Sequence, residues 1–330
     1  MNAKHSKIIL EALGIPNLGG TKFMSNVLVT AKIHPDLDGT SCALAYAHFL
    51  REQGIDAEGI IFGSPQSEVN YFVEHHGIHI PTQEEDVIGD WSNFILVDAS
   101  SMKGIPQPVI AEKVIEIIDH RAGGEPEIEF PNAQIQNELV GAAATLVTER
   151  YMQARIKPLR EHALLLYGAI HHNSLNFLAT NTSRRDHDAA HFLEQEYDFD
   201  KKIIEKMFQY ATQKILDNPA KAIEDDGKEF GKGYTVGAYQ LIVWGDEIVT
   251  RKGELQEAVC RISTANEESW AILNIVDVAS GKGFVYCTHT EYAQSVAAAL
   301  GGPLADQWVY LDKALLRKQI MPLISSLIPV

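Results

Sequence analysis

Apolar residues in the first 180 positions fall into two patterns. Short continuous runs occur at "NVLVTA" (26–31), "AEGIIFG" (57–63), "NFILVDAS" (93–100) and "VIEIIDHR" (114–121), each the length of a strand and apolar on both faces. Between them, "GTSCALAYAHFLREQG" (39–54) and "EVNYFVEHHG" (68–77) place apolar residues at helical spacing. Strands apolar on both faces and separated by amphipathic helices predict a parallel sheet covered on each side. Two longer helices are predicted near 140–155 and 159–178, with Pro158 between them.

Around "EQEYDFDKK" (194–202) the chain turns polar and charged, which sets the expected domain boundary: 1–195 and 196–330. Beyond it, "YTVGAYQLIVW", "SWAILNIVDVA" and "GFVYCT" read as strands, alternating with helical segments at 251–264, 290–300 and 312–325. The expected fold class is therefore α/β, with a parallel doubly wound amino-terminal domain and a smaller α/β carboxyl-terminal domain. Neither an internal repeat nor a low-complexity segment interrupts this pattern.

With 330 residues, 45% hydrophobic and 22% charged, the chain can bury a core in each domain. The longest uncharged segment, "ALLLYGAIHHNSLNFLATNTS", is broken by His171, His172, Asn173 and Asn176, so no membrane span and no membrane partner are expected. "MNAKHSKIILEALG" lacks the features of a secretion signal, and the expected location is cytoplasmic. Cys42, Cys260 and Cys287 have no CxxC spacing and suit free thiols in a reducing compartment. A net charge of −16 repels a nucleic acid duplex, so an anionic substrate must meet local positive charge or metal.

Ligands of doubly wound sheets collect past the carboxyl ends of the strands. Three strands end in acid there: Asp36 and Asp38 follow "NVLVTA", Asp98 ends "NFILVD", and Asp119 ends "VIEIID" before His120 and Arg121. Four carboxylates and an imidazole would repel if left bare, whereas oxygen and imidazole donors suit Mn²⁺ or Mg²⁺. Two such ions about 4 Å apart can clamp a phosphate and generate a nucleophile from water. Each segment alone has a plainer explanation. Asp38-Gly39-Thr40-Ser41 serves equally as a turn and helix cap, and Asp98 or "IIDHR" as a solvated strand end. Three acidic strand ends in succession raise the metal reading above these.

"HPDLDG", "FILVDAS" and "IIDHR" resemble the motifs of the DHH phosphoesterase family: an aspartate pair after the first strand, a lone aspartate, and Asp-His-His. "NELVGAAATLVTE" (137–149) is similar to its fourth motif, a helix amino terminus rich in small residues after Gly141, where phosphate can approach backbone N–H groups. "DDGKEFGKGYTVGAYQLI" (225–242) and "KALLRKQIMPLI" (313–324) resemble second-domain motifs of manganese-dependent (family II) inorganic pyrophosphatases and exopolyphosphatases. The resemblance spans roughly residues 25–325 and implies an active site in the cleft between the domains. It implies Mn²⁺, or Mg²⁺ or Co²⁺, held by Asp36, Asp38, Asp98, His120 and Asn173. Catalysis would fall to Asp98, His120 and Arg121, and substrate binding to Lys32, His34, Gly141, Lys228, Arg317 and Lys318. A phosphorylated small molecule or polyphosphate is the implied substrate, and a homodimer is compatible. The GGGH motif of oligonucleotide-cleaving relatives is absent, since "ALGGPLAD" lacks the histidine.

Several positions depart from the family pattern. Lys32 stands where a metal-binding histidine is expected, and His34 where asparagine is; an ammonium has no lone pair for a metal. Asn173 replaces an aspartate ligand, Arg121 the second histidine of Asp-His-His, and Leu316 a basic-motif arginine. Arg121 cannot donate a proton near neutral pH but can bind phosphate in a fork. These changes predict one tightly bound ion at Asp38, Asp98 and His120, with Lys32 standing in electrostatically for a second. The expected activity is hydrolysis of phosphoanhydride or phosphoester bonds by a metal-activated water. A weakly active or inactive scaffold for a phospho-ligand or protein is the alternative, and a nanoRNA or cyclic-dinucleotide phosphodiesterase ranks lower.

Overall fold

A computed structural model describes residues 26–84, 89–121, 125–231 and 234–327. The amino-terminal "MNAKHSKIILEALG" and positions 232 and 233 of the 225–242 motif lie outside the described residues. Two compact units divide between Ile204 and Glu205.

The first unit runs β1 (Val27–Thr30), α1 (Leu37–Glu52), β2 (Ala57–Gly59), β3 (Ile61–Phe62), α2 (Ser67–His76), β4 (Thr82–Gln83), β5 (Asn93–Val97), β6 (Val114–Asp119), α3 (Pro126–Glu129), β7 (Gln134–Asn137), α4 (Ala143–Ala154), α5 (Arg160–Asn173) and α6 (Arg184–Glu196). Strands β2-β1-β5-β6-β7 form one sheet in that order, every pair parallel. Continuous apolar runs are what such a sheet needs, and Val27, Leu28, Val29, Leu96, Val97, Ile117 and Ile118 are fully buried.

Helix α1 departs from the amphipathic expectation, because every residue from Leu37 to Leu50 is buried. It is sandwiched between β1 and β2 on one side and α4 and α5 on the other. Its polar side chains have partners at this depth: the Tyr46 hydroxyl donates to Glu116 (2.6 Å), and His48 Nδ1 meets the Tyr151 hydroxyl (2.9 Å). The predicted helix over 159–178 stops at Asn173, where Leu175, Asn176 and Phe177 take positive φ (52, 54 and 68°) and end the helical path. The run 57–63 splits into β2, which joins the main sheet, and β3, which pairs with β4.

The second unit is entered through α7 (Ile203–Asp217) and continues α8 (Pro219–Asp225), β8 (Lys228–Phe230), β9 (Val236–Val243), α9 (Lys252–Ala265), β10 (Trp270–Asp277), β11 (Lys282–Cys287), α10 (Thr290–Leu300), β12 (Leu304–Ala305), β13 (Trp308–Leu311) and α11 (Arg317–Ile324). Its sheet has the order β12-β13-β11-β10-β9-β8, with only β9 and β10 parallel. Val296 and Ile320, from α10 and α11, pack with Ile272 and Val285 in one core. Leu255 and Ile223, from α9 and α8, pack with Leu273 and Leu241 in the other. Cys42, Cys260 and Cys287 are free thiols. No described helix is long and apolar enough to cross a membrane.

Candidate active site

In the first unit's sheet, β2 lies on one side of β1 and β5 on the other, so strand order reverses at β1. That reversal opens a crevice past the strand ends, and the acidic residues stand there. Asp36 lies between β1 and α1, Asp38 is the second residue of α1, Asp98 follows β5 directly, and His120 follows the last residue of β6, Asp119.

Asp98 is held by its backbone. Its φ of 51° is uncommon for a residue with a side chain, and its N–H donates to the Ile118 carbonyl on β6 (2.8 Å). Gly39, in the first turn of α1, leaves room beside it: an added Cβ would meet Ala31 Cβ at 2.9 Å and Asp98 Oδ2 at 3.7 Å.

Asp38, Asp98 and His120 converge, each offering one donor atom, with all three atoms within 4.8 Å of one another. All three residues are buried. His120 Nε2 lies 3.5 Å from Asp38 and 3.4 Å from Asp98. Its Nδ1 faces the Val140 carbonyl (3.1 Å); a carbonyl only accepts, so Nδ1 carries the proton and Nε2 is presented to the carboxylates.

Asp38 is also enclosed by donors. The backbone N–H groups of Ala143 and Ala144, at the start of α4, donate to its two oxygens (2.8 and 2.7 Å), and Asn173 Nδ2 donates to Oδ2 (2.7 Å). A helix amino terminus favours a carboxylate, and here the carboxylate comes from the chain itself. The expectation that N–H groups at this terminus are open to phosphate is corrected accordingly. The Gly141 N–H donates to both oxygens of Asp186 (2.9 and 3.0 Å), leaving Gly141 no donor for substrate.

Arg121 also differs from expectation. One arm of its fork is closed on Asp98, with Nη2 donating to Oδ1 (2.7 Å) and Oδ2 (2.6 Å), and Nε sits 3.9 Å from Asp119. Lys32 is half-buried beside these groups. Burial and Arg121 push its ammonium below the usual value, against the pull of Asp98, Asp119 and Asp36. Asp36 caps α1, accepting from the Gly39 N–H (3.0 Å), and stands outside the three-donor cluster.

Charge follows position. Burial and then the nearby Asp98 push Asp38 up to about 7. Asp36 is partly exposed as a residue, but its carboxyl points inward, and burial with Asp98 pushes it to about 6. Burial would raise Asp98 too, yet Arg121 and His120 hold it below the usual carboxylate range. Burial opposes a charge on His120, but the Asp98 hydrogen bond and Asp38 push it up to about 9.

His34 is exposed, with φ of 54°, and its Nδ1 accepts from the Ser64 N–H (3.0 Å), away from the cluster. Asn173 reaches the site as a hydrogen-bond donor through its nitrogen, which differs from the expected oxygen ligand. In the second unit, Arg317 is 9% exposed and turned inward: Nη1 donates to Asp226 Oδ2 (2.9 Å) and the Ala238 carbonyl (2.9 Å). The guanidinium expected to grip phosphate is thus committed within its own unit. Lys228, on β8, and Lys318, on α11, are exposed on the second unit.

Asp186, fully buried, went unnoticed in the sequence. It accepts from the N–H of Gly141 and the hydroxyl of Thr145 (2.5 Å), and from the Ser183 N–H (2.7 Å), so it fixes the start of α4 that cradles Asp38. Ser183 and Asp186 form a capping box on α6, a spacing legible in "SRRD".

Residues 26–170 match the DHH family, N-terminal domain. The chain is similar to a protein of Exiguobacterium sp. named probable manganese-dependent inorganic pyrophosphatase, 27% identical over 77% of this chain and 83% of that one. A protein of the same name from Enterococcus faecalis is 23% identical over 91% of this chain and 98% of its own. Among solved structures, one from Methanococcus jannaschii assigned to family II inorganic pyrophosphatases superposes with a TM-score of 0.69, at 21% identity, covering 91% of this chain and 98% of that one, a likeness of fold.

Proposed function

With residues 26–170 a DHH-family amino-terminal domain, we propose that the chain is a metal-dependent hydrolase of phosphoanhydride or phosphoester bonds in a small molecule or polyphosphate. One observation carries this: Asp38, Asp98 and His120 bring two carboxylate oxygens and an oriented imidazole nitrogen within 4.8 Å. The donor set fits Mn²⁺, the metal in the names of the similar proteins, and equally Mg²⁺ or Co²⁺. Asp119 adds a buried oxygen, Oδ2, without a hydrogen-bond partner among the described residues, which keeps the surroundings favourable to positive charge.

A divalent ion held there supplies Lewis acidity toward a phosphoryl oxygen and makes water a better nucleophile. The chain's own residues do the rest. Val140 keeps the Nδ1 proton of His120 in place, so Nε2 stays available as a donor. Lys32 and Arg121 offset the negative charge that a phosphate brings to this acidic edge. Lys228 and Lys318 are proposed as phosphate contacts of the second unit. A cytoplasmic location and a homodimer complete the proposal.

Phosphate release from pyrophosphate, tripolyphosphate and long polyphosphate, and mononucleotide release from dinucleotides, with Mn²⁺, Mg²⁺ or Co²⁺, test it. Wild type is expected to act on at least one phosphoanhydride substrate, and Asp98→Asn to lose on the order of 100-fold or more. Activity that survives Asp98→Asn refutes this site. The closed Arg121 fork on Asp98 and the Asn173 bond to Asp38 favour a second reading, a phospho-ligand-binding scaffold with little turnover. Ion binding without product release in any arm selects that reading.

A further inference from the structure

The sequence points to Lys32 as the replacement for a second cation, but the structure gives the leading part to Arg121. Asp98 is the carboxylate central to the cluster: it faces His120 on one side and neighbours Asp36 and Asp38. Each oxygen of a carboxylate has two acceptor positions, so Asp98 can hold two ions only if both oxygens keep one that the chain does not fill. Here Arg121 Nη2 takes one position on each, at 2.7 and 2.6 Å; Oδ1 keeps its other toward His120 (3.4 Å), while the guanidinium lies against Oδ2, and the Asp98 side chain is only 6% exposed.

We infer that the centre takes a single divalent ion, at Asp38, Asp98 and His120, and that the guanidinium of Arg121 is the permanent cation that keeps a second ion off Asp98. The inference rests on the metal-dependent reading above and adds the number of ions and the residue that sets it. On that side Asp36 is tied to the Gly39 N–H, and Asp119 lies against Arg121, with Oδ1 3.9 Å from Nε. Asp36 also neighbours Asp98 and Glu68, the latter already accepting from the Leu37 N–H (3.3 Å), and Lys32 and Arg121, neither of which has a lone pair to give. Arg121 is well suited to the place, being always charged and setting one guanidinium nitrogen against both oxygens of Asp98. Lys32, half-buried and with no hydrogen bond or ion pair to Asp98 among the described residues, adds charge without closing the position. The Arg121 side chain is still 38% exposed and its Nη1 has no hydrogen bond among the described residues, so the cation that excludes the second ion also offers a donor to phosphate.

The test is a count of tightly bound Mn²⁺ per chain by native mass spectrometry, with the electron paramagnetic resonance spectrum of the loaded protein, on full-length wild type, Arg121→His and Lys32→His. Expected are one ion and an uncoupled spectrum for wild type, one ion for Lys32→His, and two for Arg121→His, which frees Asp98 and adds a donor nitrogen. Two ions in wild type, or a spin-coupled pair, overturn the inference and leave the metal-dependent reading standing. A wild type that folds by circular dichroism yet holds no ion overturns both. A folded Arg121→His variant that stays at one ion, or a Lys32→His variant that takes two, overturns the role given to Arg121. If Arg121→His does not fold, the wild-type count and spectrum decide.

Discussion

At the scale of single residues, Asn173 and Asp38 set a local balance. Oδ2 of Asp38 accepts from both Ala143 N–H and Asn173 Nδ2, so its two lone pairs are occupied. The backbone donor is fixed by α4, whereas the amide sits on a rotatable side chain, so Asn173 is the partner that yields when Asp38 binds an ion. Asn173→Asp exchanges that donor for a second carboxylate facing Asp38. Like charges at a buried site cost on the order of 1–3 kcal/mol, so the metal-stripped variant is expected to melt below wild type. Adding Mn²⁺ should raise its melting temperature more than it raises that of wild type, because an ion bound more tightly stabilises the fold more. A thermal-shift titration checks both; an equal or smaller Mn²⁺ shift for the variant contradicts the assignment of Asn173 beside the ion. The candidate ligands Asp38, Asp98 and His120 were legible as acidic or imidazole groups at strand ends. The closed fork of Arg121 was not, because the same guanidinium could face phosphate or Asp98, and only the backbone geometry at Asp98 decides between them.

Among the elements, the start of α4 depends on Asp186 of α6. That carboxylate is fully buried and accepts from Gly141, Thr145 and Ser183. Removing it by Asp186→Ala leaves buried donors unpaired and the loop before α4 unanchored. A loss of about 2–4 kcal/mol in urea unfolding is expected, together with weaker Mn²⁺ binding, since the Ala143 and Ala144 N–H groups that position Asp38 move with that helix. Unchanged stability would show that α4 is held otherwise. Strands β1, β5 and β6 were legible because a sheet covered on both faces demands continuous apolar runs. The edge strand β7, "QIQN", was not, since an edge position accepts polar side chains. Helix α6 was missed for a related reason: in "RRDHDAAHFLEQE" only Asp186, Ala189, Ala190 and Leu193 are buried, too narrow a stripe to show as helical periodicity.

For the whole molecule, burial also sets a pH limit away from the site. His162 is 7% exposed, and burial, with His48 and Arg51, pushes its ring down to about 3. A folded-state value below the unfolded one, ordinarily about 6.5, means that the unfolded chain binds the extra proton. Its contribution to stability is therefore complete above pH 6.5 and is lost as pH falls from about 6.5 toward 3, by up to about 1.4 kcal/mol per pH unit. Replacing His162 with phenylalanine, which can keep the edge contact to the His48 ring (5.2 Å between centroids), should flatten this part of the curve. Unfolding free energies measured by urea between pH 4 and pH 8 check it. Identical slopes for variant and wild type would mean that other groups carry the acid sensitivity.

The sequence by itself determined that the chain is α/β, that its first half builds a parallel sheet, and that acid gathers past three strand ends. Those are local properties: residue size, polarity and spacing along the chain suffice to produce them. Only the tertiary structure decided which of the charged groups meet. Asp38, Asp98, His120 and Arg121 come from three separate strand ends, and Asn173 from the far end of α5. Whether a cation there faces solvent, substrate or another side chain depends on strand order and on the left-handed turn at Asp98, neither of which is written in any single segment. The same holds for Arg317, a basic residue in a basic motif that the second unit's own packing turns inward to Asp226.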